Sequence, residues 1–554
     1  MSQTIDTPPA GEQPATTDAT GSATAPYDVV IVGAGVTGMY QLLLLRRRGL
    51  RVRVVEGGGD VGGTWYWNRY PGARLDSESF TYQYAFDEEL LAEWDWAEMF
   101  AGQPELLRYF NRVADKHDLR RDIQFGFTVQ RLVFDEERNL WEVHERGGEI
   151  LHATYVIAAT GVLSALNFPD IPGLETFEGE WHHTGAWPHE EVALEGKKVV
   201  VIGTGATGIQ VISEVGKVAE HLTVFQRTPN WAIPLRNRPL SAQEMAEIRA
   251  DYPALFPRLQ RTFSGFMHEA DPTTSTSVPR EERLAHYEDL YQRPGFAKWQ
   301  GVYHDVATDE TANREYGEFL AGKIRDRVDD PEVAAQLIPT DHLFGTKRVP
   351  CETNYFETYN RPNVELVSLK TSPILEYTPR GVRTPDGEIE ADVIIIATGF
   401  EAFTGALNRI EIRGVDGLLL REKWEYGPLT YMGVQVADFP NFFIMGGPHG
   451  KGGHGNSPRC SEKVVEWMAD FAAWLVEHDV RRVEADPRAE KEWSEWVYEI
   501  ASHSLMATAN TYVYGDNIPG RPRAYLAYSG SLPDFVQKLH DSRDAGWSGF
   551  VLTR

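Results

Sequence analysis

Asp28-Val29-Val30-Ile31-Val32-Gly33-Ala34-Gly35-Val36-Thr37-Gly38 decides the fold. An apolar run that ends at a Gly-x-Gly-x-x-Gly turn has the form of a buried parallel strand. Met39 to Arg48 then reads as a helix, and Arg51 to Val55 as a second strand ending at Glu56. In such a unit Gly33 permits the tight turn, Gly35 lets a pyrophosphate approach the backbone, and Gly38 lets helix and strand pack closely. The helix start at Gly38 offers free N–H groups and a positive dipole end to phosphates. Glu56 stands about 20 residues beyond the glycines, where an acid holds ribose hydroxyls. The unit is a Rossmann-like dinucleotide-binding module.

The pattern occurs twice. Lys197 to Ile202 leads into Gly203-Thr204-Gly205-Ala206-Thr207-Gly208, and His221 to Phe225 is the next strand. No acid follows it; Gln226-Arg227-Thr228 stands there instead. A cation beside a hydroxyl suits the 2′-phosphate of NADP, so NADPH is expected over NADH. A solvated surface arginine is the alternative. Tyr155 to Gly161 reads as the strand and turn closing the first module, and Val393 to Phe400 repeats it as the return to that module. Between them, Trp231 to about His342 turns helical, with runs at Ser241–Ala254, Arg280–Leu290 and Ala312–Val328. The expected organisation is α/β: a disordered tail at 1–26, a first domain at 27–160, a second at 161–394 with a helical insertion at about 232–342, and the remainder of the first at 395–554.

A chain of 554 residues is too long for one ordinary core. Its 54 basic and 81 acidic residues give a net charge of −27, which argues against nucleic acid or an anionic membrane as partner. Only two cysteines occur, Cys351 and Cys460, too few for a disulfide scaffold or a cysteine zinc site. Met1 to Pro26 has neither the basic start nor the apolar run of a secretory signal. No apolar run approaches the roughly 20 residues that span a bilayer. A cytoplasmic protein, monomeric or weakly homo-oligomeric, is expected.

Gly62-Gly63-Thr64-Trp65-Tyr66-Trp67-Asn68-Arg69-Tyr70-Pro71-Gly72-Ala73-Arg74-Leu75-Asp76 follows the first unit. Glycines and aromatics this dense suit a flat ring system, or equally a hydrophobic loop; Asp76 by itself is also read as a turn carboxylate. Phe177-Glu178-Gly179-Glu180-Trp181-His182-His183-Thr184-Gly185-Ala186-Trp187-Pro188 joins the two modules. Gly62, Gly63, Trp65, Tyr70, Pro71, Gly72 and Asp76 fall on the pattern [AG]-G-x-W-x4-[FY]-P-[GM]-x3-D. Phe177, Gly179, His183, Trp187 and Pro188 fall on F-x-G-x3-H-x3-W-P. Both patterns mark Baeyer–Villiger monooxygenases, and from about Tyr27 to its end the chain resembles that family.

The resemblance implies FAD and NADPH as cofactors, O2 and a ketone as substrates, and an ester or lactone as product through a C4a-peroxyflavin, with side sulfoxidation. It implies cofactor contacts at Gly33, Gly35, Thr37, Gly38, Glu56, Gly63, Thr64, Trp65, Asp76, Tyr82, Val129, Thr204, Gly205, Ala206, Thr207, Gly208, Arg227, Thr228, Lys347 and Tyr512. It makes Arg348 the catalytic arginine, oriented by Asp76, and Lys347 a holder of the NADP phosphate. Arginine stays charged at any working pH and can stabilise a peroxide anion and the oxyanion of its adduct. Without the resemblance, Lys347-Arg348 reads as a surface pair. His183 reads as a hydrogen-bonding anchor of the linker, with proton transfer as the second reading. Tyr512 departs from the family, which usually has Trp there. The Gly-rich loop His449 to Ser457, carrying His449, Lys451 and His454, is expected beside the substrate, unliganded by metal. The rival readings are an N- or S-hydroxylating flavin monooxygenase, an uncoupled NADPH oxidase and a non-catalytic nucleotide-binding scaffold.

Overall fold

Tyr27–Val32 lies in the middle of a parallel sheet, which is why its residues run apolar instead of alternating: Val30 and Ile31 are buried on both faces. The computed structural model describes residues 25–451 and 455–554; His454 and nearly all of the expected tail lie outside them. The parallel core of this first sheet runs in the order Phe442–Ile444, Ile150–Ala158, Tyr27–Val32, Val52–Glu56, Ile123–Phe125. Ile150–Ala158 is long enough to pair twice along one edge. Its first half takes the antiparallel strand Leu140–Glu145, and its second half takes Phe442–Ile444.

The second sheet repeats the plan. Its order is Glu180–His183, Val393–Ile396, Lys198–Ile202, His221–Gln226, Val364–Ser368, all parallel. In each sheet the strand that ends in the glycine turn lies between the strand ending at the ribose position and the strand ending in Ala-Thr-Gly. The third glycine is demanded by the same approach in both. A Cβ on Gly38 would fall 1.9 Å from the Gly33 carbonyl oxygen, and one on Gly208 2.2 Å from that of Gly203. The expected two-module α/β architecture is the one observed.

Several boundaries move for local reasons. The first helix begins at Val36, not Gly38, with Gly35 as its N-cap. Gly38 therefore sits inside the first turn, where it passes under Gly33. Val393–Ile396 pairs on both sides within the second sheet, so a boundary at 394 would cut a strand that belongs there. The linker stretch also joins that sheet: Glu180–His183 forms its edge, with His183 opposite Ile396.

The helical insertion is closed at its neck by Ile233–Pro234 pairing with Cys351–Glu352. Its helices Arg280–Gln292 and Glu310–Arg325 share the core of the second module through Tyr287, Leu290, Tyr316 and Leu320. Ala242–Leu259 instead buries Met245, Tyr252, Leu255 and Phe256 in the core of the first. The insertion thus straddles both modules. Ser457–Glu477 buries Val464, Trp467, Met468, Phe471 and Leu475 along one face, so its aromatic stripe is core. Among the described residues no helix is long and apolar enough to cross a membrane.

Candidate active site

Around the first glycine turn the backbone is drawn in tightly. A Cβ on Gly63 would lie 2.7 Å from the Cα of Gly35, and Gly63 has a positive φ of 53°. Two chain segments thus meet without side chains between them. Glu56 is buried, and its two oxygens accept from the backbone N–H groups of Ala34 and Gly58, both at 2.8 Å. Burial raises its pKa, and the two N–H groups oppose that. Trp65 is buried, its Nε1 without a hydrogen-bond partner among the described residues, and Tyr82 meets it edge-on with ring centroids 5.8 Å apart. Thr64 is exposed at the start of the same helical turn. Thr37 lies across from Ser461, their hydroxyls 3.5 Å apart, at the entry of the helix Ser457–Glu477. Val129 opens its strand just beyond Thr128, whose hydroxyl packs against Gly57.

In the second module Thr204 is buried and donates to the Thr228 carbonyl at 3.2 Å, tying the glycine turn to the segment after the second strand. Around the position of a Cβ on Gly205 there is open space, unlike Gly35. Ala206 and Thr207 begin the helix Ala206–Val218. Arg227 stands exposed just past the strand His221–Gln226. Lys347 approaches it, and so does Lys370, because Val364–Ser368 pairs with His221–Gln226 and brings Lys370 to the same sheet edge. Burial holds the Lys347 ammonium below its usual range; Asp341 opposes this, and the charges of Arg227 and Lys370 add to it. None of the three cations has an ion-pair partner within 4 Å among the described residues. Lys370 escaped the sequence reading because only the strand pairing places it there.

The two modules meet at a third cluster. Asp76 is buried, and its Oδ2 lies 2.7 Å from Nη2 of Arg348 while accepting the Cys351 N–H at 3.2 Å. Nη1 of Arg348 and Oδ1 of Asp76 are buried without partners among the described residues. Burial alone would lower the arginine's pKa; Asp76 outweighs it, and the net shift is upward. The side chain has protein all around it yet is 38% exposed, as a group lining an internal cleft should be. Tyr512, from the C-terminal segment, lies within electrostatic reach of the same guanidinium, whose charge opposes the rise in the phenol's pKa caused by burial. Phe296, from the insertion, lies beneath it with the ring centroid 5.8 Å from Cζ. Four stretches far apart in sequence therefore converge on one charge.

The linker residues act as a joint. Phe177 is buried against Val200, Phe225 and Ile394, and Gly179 leaves room for the Asp392 carbonyl, 2.5 Å from where a Cβ would stand. His183 is buried, its Nδ1 accepts from Gly185 N–H at 3.0 Å, and burial lowers its pKa to about 4. Trp187 donates its backbone N–H to the Trp67 carbonyl at 3.3 Å, crossing to the first module, and Pro188 follows. Tyr70 crosses the other way, its hydroxyl donating to Gln210 at 2.8 Å.

The described part of the glycine-rich loop is not loose. His449 is fully buried and bonds the Tyr525 carbonyl at 3.0 Å, with a pKa lowered by burial to about 4. Lys451 donates to the Gly530 carbonyl at 2.6 Å. Both anchor the C-terminal segment that carries Tyr512.

Comparison with known proteins agrees with this architecture. Residues 27–251 match the family model described as pyridine nucleotide-disulphide oxidoreductase; both cysteines of this chain are buried free thiols. The chain is 45% identical over 534 residues to the 2-oxo-Δ3-4,5,5-trimethylcyclopentenylacetyl-CoA monooxygenase of Pseudomonas putida, covering 95% of this chain and 98% of the relative. It is 40% identical to a Baeyer–Villiger monooxygenase of Pseudooceanicola batsensis, over 97% and 98%. It is also 40% identical to phenazine N-monooxygenase PhzNO1 of Lysobacter antibioticus, over 95% and 97%. Among solved structures, OTEMO in complex with FAD and NADP superposes with a TM-score of 0.92 at 42% identity, over 95% of this chain and 99% of that one. The chain belongs to the Baeyer–Villiger monooxygenase family.

Proposed function

We propose that this protein uses NADPH and O2 to convert a ketone into an ester or lactone, with FAD on the first module, NADPH on the second and Arg348 at the reacting centre. The residues present fit both cofactors. A Gly35–Gly63 contact that a Cβ would fill, a buried carboxylate at Glu56 and an unpartnered Trp65 indole suit a flavin dinucleotide. Three unpaired cations at one sheet edge suit the 2′-phosphate of NADPH. When bound, FAD supplies the redox chemistry, accepting hydride from NADPH and delivering the electrons to oxygen.

The chain's own contribution is positioning and charge. Asp76 holds one arm of the Arg348 fork, which leaves Nη1 free to donate to an oxygen that gains negative charge as a carbonyl is attacked. The guanidinium keeps its proton throughout, so it stabilises charge and does not itself move a proton. His183, with its lowered pKa, is neutral at working pH and bonded to backbone, which supports its reading as a joint. The buried, unpartnered Nη1 beside Asp76 is the observation that carries the proposal. The phenazine relative supports a second reading, in which oxygen is delivered to a heteroaromatic ring nitrogen. Both cysteines are free thiols, which supports a reducing, cytosolic setting.

The test supplies purified protein with NADPH, 18O2 and ketones of graded size, alongside a phenazine. Formation of an ester carrying one labelled oxygen is expected. NADPH consumption that yields only hydrogen peroxide with every ketone, or an N-oxide alone, counts against the ketone reading.

A further inference from the structure

The insertion, helical by its sequence pattern, holds a lysine with no exposed surface. Lys298 is completely buried. Its ammonium donates to the carbonyls of Arg293 and Gly295, the latter at 3.3 Å. Arg293 caps the end of the helix Arg280–Gln292, where carbonyls lack helical partners. Lys298 belongs to the next short helix, Ala297–Gln300, so its side chain reaches back across the bend between the two. That bend rests on the first module. Gly295 has a φ of +57°, and a Cβ there would meet the Phe100 ring at 2.8 Å and Glu78 at 3.3 Å. The Lys298 carbonyl in turn accepts from the buried Tyr316 hydroxyl at 2.5 Å.

At the apex of the bend stands Phe296, the ring beneath Arg348. It is braced by Phe266 and Trp299, both edge-on at centroid distances of 5.1 and 5.3 Å. Lys298 lies near Cys351, the residue whose N–H shares the Asp76 oxygen with Arg348, and its charged neighbours are Arg236, Glu352 and Glu78.

We propose that Lys298 is a positioning residue for Arg348: its ammonium locks the Arg293–Phe296 bend and so seats the Phe296 ring under the guanidinium. The proposal rests on the reading of Arg348 given above. A buried ammonium with two carbonyl acceptors is costly to remove without leaving those carbonyls unsatisfied. Without the lock the ring has no fixed seat, and the arginine loses one wall of its cleft. The insertion thus contributes to the chemistry through the rigidity of one bend.

The experiment uses FAD-loaded enzyme. In Lys298→Met, amide hydrogen exchange across 293–300 is expected to rise at least about tenfold, and ester formed per NADPH consumed to fall by roughly three- to tenfold. Flavin content and KM for NADPH are expected within about twofold of the parent, since Lys298 bonds only the bend's own carbonyls and contacts neither glycine turn. Phe296→Leu should lose ester yield to a similar degree, and the double variant should be no worse than the poorer single one. Lys298→Gln carries the same expectation at smaller amplitude and serves if Lys298→Met yields no FAD-loaded protein. Unchanged exchange with unchanged yield, or losses that multiply in the double variant, overturn the proposal. Arg348→Ala separates the two readings. Ester formation surviving in that variant overturns the role of Arg348 and the proposal with it. Loss there combined with parental yield in Lys298→Met overturns the proposal alone.

Discussion

Replacing Arg348 with lysine keeps the charge and removes the fork, which makes it the sharpest probe of the cleft. In the structure the two arms of the guanidinium do different work: Nη2 lies 2.7 Å from Asp76, and Nη1 is buried without a partner. A lysine has one head and must choose. If it stays on Asp76, the forward donor is lost, and removing one such preorganised donor costs about 3–4 kcal/mol in the transition state, or roughly 10²–10³ in rate. If it moves forward, the buried Asp76 carboxylate keeps only the Cys351 N–H at 3.2 Å. Stripping a buried charge of its partner costs about 3–5 kcal/mol when both groups are dry. Because the arginine side of this pair is 38% exposed, about half of that is a fairer figure. The first route predicts ester formation slowed by roughly a hundred- to a thousandfold, and the second, at about 1.5–2.5 kcal/mol, by roughly ten- to seventyfold. FAD loading, read from visible absorbance, and NADPH binding should be retained. The assay is ester quantified by gas chromatography against NADPH consumed. A lysine variant within about fivefold of the parent would refute the two-armed argument, because a point charge would then suffice.

Other outcomes follow from the same geometry. Gly63→Ala should yield colourless protein, since the added Cβ meets the Gly35 Cα at 2.7 Å in a positive-φ backbone; a yellow, flavin-loaded variant would contradict the close approach. Lys370→Ala and Lys347→Ala should each raise KM for NADPH about tenfold and leave that for NADH within about twofold, measured by initial rates. His183 stays neutral in the folded protein down to about pH 4, whereas an unfolded histidine takes up its proton near 6.5. Its folded pKa is depressed, so stability is lost as pH falls from about 6.5 towards 4, by up to about 3 kcal/mol. His183→Gln should flatten that limb in denaturant titrations at pH 7 and 5; His449, with the same shift, leaves part of it.

How much of this was legible in the sequence depends on how far apart the interacting groups lie. The doubly wound modules were readable because a glycine turn, the apolar run before it and the strand after it interact within about 25 residues. The linker pattern was readable as a joint, and the edge strand Glu180–His183 with Trp187 bonded to Trp67 gives that joint its form. Helix and boundary errors were local. In sequence Gly38 looks like a helix start although it lies within the first turn, and Val393–Ile396 reads as a return to the first sheet because its residues look the same as those of Ile150–Ala158.

By itself the sequence determined two nucleotide-binding folds, their order, and a preference for a phosphate at the second, since these rest on steric and electrostatic demands between near neighbours. The family resemblance implied the Asp76–Arg348 pair; only tertiary structure decided that Phe296 lies beneath that pair, that Lys370 joins Arg227 and Lys347, and that the insertion braces both modules. Sheet order and the packing of the insertion set those neighbours. A lysine such as Lys298 carries no sign in its own sequence of whether it will face water or a buried pair of carbonyls.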